Sequence, residues 1–244
     1  MDIMNLIKKY PSVERAMNKI RGFSPETYIH SIRVAEITSK IIDRLNAQHG
    51  QYCFSEQEKE NLIIAAYVHD IGKLSVSRDI LSKPGKLTDK EFENIKKHPV
   101  AGYIRIKRLN LPKDVDKICS DVAINHHRKI DGFGYPPGIK EPVPYYAQIV
   151  QVADVYEALT ADRSYREALP HEKAFSMMAN GECGTLNETL VSLLKDNCEA
   201  IEYEISEERD EINLDTLYTE AYAVIPKRNA ANISKIQNQD EIAV

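Results

Sequence analysis

The amino-acid sequence has no tryptophan and only four cysteines among its 244 residues. The cysteines lie far apart and form no C-x-x-C pair, so the fold is not expected to depend on disulfides. Such spacing suits a protein of a reducing compartment. We therefore interpret four residues as free thiols: Cys53, Cys119, Cys183 and Cys198.

Long apolar runs and an excess of positive charge are also lacking. No stretch approaches about 18 uninterrupted apolar residues, and the N-terminus has no apolar core long enough for a signal peptide. These absences predict a cytoplasmic protein without membrane insertion. A formal net charge of -5 argues against binding of large nucleic acids, which needs a basic face, but it still allows a small anionic substrate.

The residues that are present have the composition of an ordinary globular protein, with 43% hydrophobic and 28% charged residues. The length fits one large domain, or one domain with appendages. We predict an N-terminal helical segment over residues 1–24 and a catalytic domain over 25–203. An acidic, then polar and partly flexible extension should follow over 204–244.

Apolar residues recur at helical rather than alternating spacing, which predicts an all-α fold with no strand. The clearest stripe predicts a helix over 25–47. A second predicted helix ends near Gly72, and a third carries His98. Two capping boxes open these later helices: Ser55 with Glu58, and Thr88 with Glu91.

Prolines and glycines divide the second half of the chain. Three prolines are expected to start helices: Pro112, Pro144 and Pro170. Residues 129–144 contain too many glycines and prolines for a regular element, so they are predicted to form a loop.

Histidines are the informative residues. Five of the seven fall at or near helix positions in different segments, where a helical fold can bring them together: His30, His69, His98, His126 and His127. Imidazole is the commonest transition-metal ligand, and carboxylates complete sites for iron or manganese. The adjacent pair at 126 and 127 would diverge by about 100° on a helix, which suits two neighbouring ions. Two accidental surface histidines are the alternative.

Three carboxylates stand near these histidines. Glu26 and His30 project from one helix face, although an exposed surface pair has the same spacing. Asp70 follows His69 after an apolar run, where a charge is costly unless it is paired or bound to metal. Asp154 interrupts the apolar face of a helix that should be buried. It is either a ligand, or a buried aspartate that caps a helix or pairs with arginine.

Several short motifs follow one another along the chain: His69-Asp70-Ile71-Gly72-Lys73, His98-Pro99, His126-His127, Asp131-Gly132-Phe133-Gly134-Tyr135-Pro136, Ala153-Asp154 and the segment 159–166. Over roughly residues 20–190 this ordered set resembles the HD-GYP family. The resemblance implies an HD-superfamily helical bundle around two or three divalent ions, with iron or manganese expected. It also implies a signalling enzyme that hydrolyses cyclic di-GMP or a related 3',3'-cyclic dinucleotide to the linear dinucleotide. Further cleavage to mononucleotides is left open.

The resemblance also assigns roles to individual positions. The family's metal ligands match His30, His69, Asp70, His98, His126, His127 and Asp154, and Glu26 matches the extra carboxylate of members that hold three ions. Asp70 and Lys73 are the expected catalytic residues, with Lys73 near the scissile phosphate. Further substrate contacts are expected from Tyr135, Pro136, Arg163 and Arg166. Such ions lower the pKa of bound water, so no nucleophilic side chain is required.

Besides a stretch over 138–144 that looks one residue short and lacks a glycine, two departures from the family pattern bear on the substrate. Arg128 stands where glutamate is common, and Gln148 stands where arginine is usual. They leave cyclic di-GMP, cyclic GMP-AMP and another phosphate ester open. The competing interpretations are a broader HD-type nucleotide phosphohydrolase and a catalytically weak module that senses the dinucleotide or docks a partner. A homodimer and a separate signalling partner also stay open.

Overall fold

The computed structural model describes residues 3–48, 50, 52–162 and 167–212. Within these residues the chain forms helices without any β-strand, apart from one isolated bridge between Arg128 and Gly134. The prediction of an all-α fold is confirmed. The helices are α1 (Ile3–Lys8), α2 (Pro11–Phe23), α3 (Pro25–Ala47), α4 (Glu56–Val68), α5 (Arg78–Leu81), α6 (Asp89–Ile95), α7 (His98–Ile106), α8 (Lys113–Asn125), α9 (Tyr145–Thr160), α10 (His171–Ala179) and α11 (Glu188–Ile212).

Local sequence signals explain where the long helices begin. Ser24 caps α3 by accepting a hydrogen bond from the Thr27 amide at 3.4 Å, and Pro25 occupies the first turn. Both predicted capping boxes form, at the start of α4 and of α6. The predicted helix over 25–47 matches α3, and the three predicted proline starts match α8, α9 and α10.

Helix α4 lies at the centre of the bundle, between α3 and α8. Its residues 61–68 are all buried, as expected for a helix that is apolar on every side. Helices α7 and α9 pack against α8 and α3, and α1 and α2 add buried side chains to the same core. This packing brings the ends of α4, α7 and α8 close to the middle of α3 and α9.

The prediction of one helix running from the second capping box through His98 is wrong. Helix α6 ends at Ile95, and α7 begins anew at His98 with Pro99 in its first turn. Proline has no amide hydrogen and disfavours helical conformation in the residue before it, so it is tolerated only where a helix starts. The break places His98 at a helix end rather than on a helix face.

The acidic C-terminal region continues as a helix past the boundary predicted at residue 203. On α11, Glu202 pairs with Arg33 of α3 at 2.9 Å, and Glu208 pairs with Lys40 at 2.6 Å. Residues 213–244 of the predicted extension lie outside the described residues. None of the helices in the described part is long and apolar enough to cross a membrane.

Candidate metal centre

Seven of the predicted ligands converge, although they come from five helices or their ends. His30 lies on α3, Asp154 on α9, and His98 opens α7, while the others follow the ends of α4 and α8. Their ligand atoms fall into three groups, each within 4.8 Å: His98, His126 and His127; His30, His69 and Asp154; and His69, Asp70 and His126. We call this set the histidine–aspartate cluster.

The three groups overlap, since His69 and His126 each belong to two of them. His30 Nε2 lies 3.0 Å from Asp154 Oδ1, and His98 Nε2 lies 3.2 Å from Asp70 Oδ1. Six of the seven residues are buried, and the remaining one, His127, is half-buried. The cluster is therefore one continuous set of donors with room for neighbouring ions.

Main-chain carbonyls fix the orientation of three of the imidazoles. The Nδ1 atoms of His69, His98 and His126 lie 2.6, 2.8 and 2.9 Å from the carbonyl oxygens of Ala66, Ile95 and Ala123. A carbonyl only accepts, so each Nδ1 carries the hydrogen and donates it. Each Nε2 is then left with a lone pair directed into the cluster, which is how histidine ligands are usually prepared for a metal.

Several atoms in the cluster lack a partner that the protein itself could provide. His98 Nε2 and His126 Nε2 are 2.9 Å apart, although the hydrogen positions just assigned leave a lone pair on each. His69 Nε2 and Asp70 Oδ1 are buried without a hydrogen-bond partner, whereas the other Asp70 oxygen, Oδ2, lies 2.6 Å from the Lys73 ammonium. Facing lone pairs and buried oxygens are costly unless a cation lies between them. The donor set fits a divalent metal ion.

Burial keeps the imidazoles neutral. Desolvation lowers the pKa of His69 and His127, and it lowers the pKa of His126 to about 3. The carboxylates of Asp70 and Asp154 oppose these shifts without reversing them. Neutral imidazole is the form that binds metal, so the histidines are ready to act as ligands at neutral pH.

The two aspartates are ionised. Burial opposes ionisation of Asp70, but the Lys73 ammonium at 2.6 Å holds its pKa well below the usual range. Burial opposes ionisation of Asp154 as well, and the contact with His30 lowers its pKa well below the usual range. Carboxylates and neutral imidazoles together form a ligand set suited to iron or manganese.

One residue of the site was missed from the sequence. Glu157, which is 2% exposed on α9, contacts His30 Nδ1 in a short hydrogen bond. It therefore orients His30 as the carbonyls orient the other histidines, and a carboxylate partner also makes the imidazole a better ligand. Its spacing could have revealed it, because Glu157 follows Asp154 by three residues and shares its helix face.

A close approach between backbones sets the distance between two parts of the cluster. The 3-10 turn Ile71–Ser75 follows Asp70 and packs on the start of α7. A Cβ atom at Gly72 would lie 1.9 Å from the His98 carbonyl oxygen and 2.5 Å from the Gly102 nitrogen. Only glycine fits at position 72, and the contact holds Asp70 and Lys73 beside His98.

The loop 129–144 covers one edge of the cluster. The Tyr135 ring stacks on His127 with ring centroids 4.5 Å apart, and its amide donates to the His127 carbonyl at 3.2 Å. Gly134 has φ +83°, and a Cβ there would lie 2.1 Å from the same carbonyl. Glycine therefore allows Tyr135 to reach the cluster. Tyr135 and Pro136 also line a groove of about 500 Å³ against α6 and α7.

The two departures from the family pattern have structural roles in this loop. Arg128 is buried and donates to the carbonyl oxygens of Ile139 and Glu141 at 2.8 and 2.9 Å. Gln148 donates to the Val143 carbonyl at 2.8 Å and accepts from Asn187. Both side chains hold the loop against the bundle instead of facing the cluster.

One predicted ligand is not part of the cluster. Glu26 is half-buried on α3, one turn before His30, and belongs to none of the three ligand groups. Arg163 and Arg166 lie outside the described residues. Lys73 is near the cluster and is paired with Asp70.

Comparison with known proteins identifies the family to which the chain is similar. The HD domain family model matches residues 21–183. The chain is 33% identical over 176 residues to a cyclic di-GMP phosphodiesterase of Thermotoga maritima, covering 72% of this chain and 42% of that protein. It is 38% identical over 156 residues to 3'3'-cGAMP-specific phosphodiesterase 3 of Vibrio cholerae, covering 64% of this chain and 32% of that protein.

A solved HDG"Y"P protein from Bdellovibrio bacteriovorus shares the fold, with a TM-score of 0.59 and 15% sequence identity over 81% of this chain and 65% of that one. The chain spans about two fifths of the length of the first curated relatives that it matches. The family match covers most of the chain and includes all seven residues of the cluster. The chain therefore belongs to the HD-GYP family of HD domain proteins.

Proposed function

We propose that this protein is a metal-dependent phosphodiesterase that hydrolyses a 3',3'-cyclic dinucleotide to the linear dinucleotide. The observation that carries the proposal is the overlap of three ligand groups through His69 and His126. Overlapping groups suit adjacent ions, which is the arrangement used to cleave phosphate esters. The relatives named as cyclic di-GMP and 3'3'-cGAMP phosphodiesterases supply the substrate class.

Divalent ions bound at the cluster would lower the pKa of water and neutralise the phosphoryl oxygens. The protein's own contribution is to hold the ligands in one protonation state and orientation. The carbonyls behind His69, His98 and His126 do this without a titratable group. No side chain then needs to act as the nucleophile.

Lys73 is the proposed phosphate contact at the cluster. Its ammonium lies 2.6 Å from Asp70 Oδ2, and its side chain is 22% exposed. A cation at the edge of a desolvated site stabilises the negative charge that develops on the phosphoryl group. Tyr135 and Pro136 form one wall of the groove, where a ribose or base can bind.

The protein should be purified without chelator and analysed for iron and manganese, the two metals that the ligand set favours. Turnover of cyclic di-GMP, 3',3'-cyclic GMP-AMP and nucleoside monophosphates should then be compared. The proposal expects bound metal and preference for a cyclic dinucleotide. Preference for mononucleotides would instead support a broader nucleotide phosphohydrolase, and binding of a dinucleotide without turnover would support a sensing module.

A third ion is a separate part of the proposal, and it rests on Glu26. This residue lies one turn before His30 on α3, so the helix can offer a carboxylate beside the cluster. Glu26→Ala should lower the metal content by about one ion per chain while the central pair stays bound, with weaker phosphate positioning and a slower reaction. Glu14→Ala on the exposed face of α2 is the control. Two ions in both parent and Glu26→Ala would refute the third ion and leave the phosphodiesterase proposal intact.

A further inference from the structure

Lys129 lies two residues after His127, at the start of the loop 129–144, and it is half-buried. Its aliphatic stem runs along the turn that contains Gly184. A Cβ atom at Gly184 would lie 2.7 Å from Lys129 Cε and 3.0 Å from its Cδ. Glycine at position 184, with φ +77°, thus leaves the space in which the aliphatic stem of Lys129 packs against this turn.

The ammonium group at the end of this stem is not used within the described part of the protein. It has no hydrogen bond or ion pair to any residue that the structure describes. The ammonium is not among the described polar atoms that are fully buried without a partner, but desolvation by the surrounding protein lowers its pKa. A lysine whose stem is fixed, and whose partly desolvated ammonium has no partner among the described residues, is suited to bind an anion, because the anion would offset the cost of desolvation.

The acidic groups around Lys129 are engaged elsewhere. Asp131 accepts hydrogen bonds from the Thr185 hydroxyl and from the Phe133 amide. Asp154 contacts His30 at 3.0 Å within the histidine–aspartate cluster, and its charge still reaches the Lys129 ammonium. Lys129 therefore lies close to the cluster, two residues after His127, and forms no described ion pair with Asp154.

The other described cations around the cluster have partners. Lys73 pairs with Asp70, Lys96 pairs with Glu93 at 2.7 Å, and Arg128 donates to loop carbonyls. A cyclic dinucleotide carries two phosphodiester groups, so one anion remains outside the metal site when the other is being cleaved. That second anion needs a cation with an uncommitted charge.

We propose that Lys129 binds the phosphodiester of the cyclic dinucleotide that is not being cleaved. The inference rests on the proposed function and extends it, because it gives the site a reason to prefer a substrate with two phosphates. Lys73 would then contact the scissile phosphate beside Asp70, and Lys129 would contact the second phosphate at the start of the loop 129–144.

The test uses the metal-loaded protein and two substrates. Cyclic di-GMP has a second phosphodiester, whereas bis(p-nitrophenyl) phosphate has only the one that is cleaved. Lys129→Met keeps the aliphatic stem over Gly184 and removes the charge, and Lys129→Arg restores a cation. Lys140→Met, at an exposed lysine of the same loop, is the matched control.

Lys129→Met should lower kcat/KM for cyclic di-GMP by about 10- to 100-fold, mainly through KM, as expected for loss of a charge-assisted hydrogen bond. Its turnover of bis(p-nitrophenyl) phosphate and its metal content should stay within about twofold of the parent. Lys129→Arg should recover most of the loss for cyclic di-GMP, and Lys140→Met should match the parent on both substrates.

Equal losses on the two substrates would overturn the inference, since they would indicate a structural role at the cluster. An unchanged kcat/KM for cyclic di-GMP in Lys129→Met would overturn it as well, as would the same loss in Lys140→Met. A parent protein that cleaves bis(p-nitrophenyl) phosphate but no cyclic dinucleotide would refute the proposed function, and the role of Lys129 with it.

Discussion

The histidine–aspartate cluster and the loop 129–144 lie side by side but are held in different ways. The cluster stands on long buried helices, and three of its histidines donate to carbonyls within their own turn. Much of the loop is exposed, with Phe133 76% accessible. The loop is held by two polar side chains, Arg128 and Gln148, which donate hydrogen bonds to its main-chain carbonyls.

This difference separates two kinds of function. The geometry of the cluster follows from the packing of α3, α4, α8 and α9, so it changes only if the core changes. The shape of the loop depends on a few hydrogen bonds that single substitutions can remove. Substitutions in the cluster should therefore abolish the chemistry, whereas substitutions at the loop anchors should change how the substrate binds.

The largest effect is expected from His69→Ala and Asp70→Ala, because these residues supply the buried atoms that lack a partner. Each variant should lower turnover by at least about 10³-fold and reduce the metal content, as measured by kinetics and elemental analysis. Asp114→Ala, at an exposed aspartate of α8, controls for the loss of charge. Full turnover with full metal occupancy in either cluster variant would contradict the assignment.

Lys73→Ala, beside the cluster, should separate loss of catalysis from loss of metal. It should slow turnover by about 10²-fold, since it removes charge stabilisation from the phosphoryl group, but the metals should remain bound. Metal loss equal to that of Asp70→Ala would show that Lys73 supports the ligands rather than the phosphate.

A smaller effect is expected from Glu157→Gln, which keeps the shape of the side chain but weakens its hold on His30. Metal affinity should fall by about 10- to 100-fold, while kcat at saturating metal changes little. Competition with a chelator measures the affinity, and Glu172→Gln on the exposed face of α10 is the control. Unchanged affinity would mean that packing alone orients His30.

Acidification should destabilise the metal-free protein. His126 has a folded-state pKa of about 3, whereas the unfolded chain takes up this proton near pH 6.5. Between pH 3 and 6.5 the unfolded state therefore binds more protons than the folded state. The contribution of neutral His126 to stability is complete well above pH 6.5 and decreases as the pH falls. From pH 6.5 to 5 the free energy of unfolding should decrease by about 2 kcal/mol through His126. Urea denaturation at several pH values measures it, and a flat profile in the parent would argue against burial of neutral imidazoles.

The smallest effect is expected from Arg128→Met, which removes the ties to Ile139 and Glu141. KM for the cyclic dinucleotide should rise by about fivefold as the loop loosens, with metal content unchanged. Faster hydrogen exchange of the amides in 130–143 would accompany the change. Loss of metal in this variant would contradict the view that the loop affects substrate binding without affecting the ligands of the cluster.

Sequence patterns predicted the helices well where the signal was local. The helix over 25–47 and both capping boxes depend on residues close in sequence, and the structure reproduces them. The helix through His98 was predicted wrongly because Pro99 outweighs the capping box upstream.

The site was predictable in its residues but not in its supporting contacts. The pairing of Glu157 with His30 joins residues 127 positions apart, and only the packing of α3 on α9 brings them together. Arg128 was noticed as a departure from the family pattern, yet its contacts with loop carbonyls depend on how residues 139–141 fold back. The spacing from Asp154 could place Glu157 on the face of α9 that meets the cluster, but which side chain it contacts follows from tertiary structure.

The backbone contact at Gly72 limits how the family can diverge in sequence. A Cβ atom at position 72 would lie 1.9 Å from the His98 carbonyl oxygen, so there is no room for even a methyl group. Because the obstacle is backbone, no change in a neighbouring side chain can compensate for a substitution. Among related sequences, position 72 should accept fewer residue types than the apolar core, where one aliphatic side chain can replace another. In a library of variants selected for activity, we expect position 72 to stay glycine while apolar core positions accept other aliphatic residues.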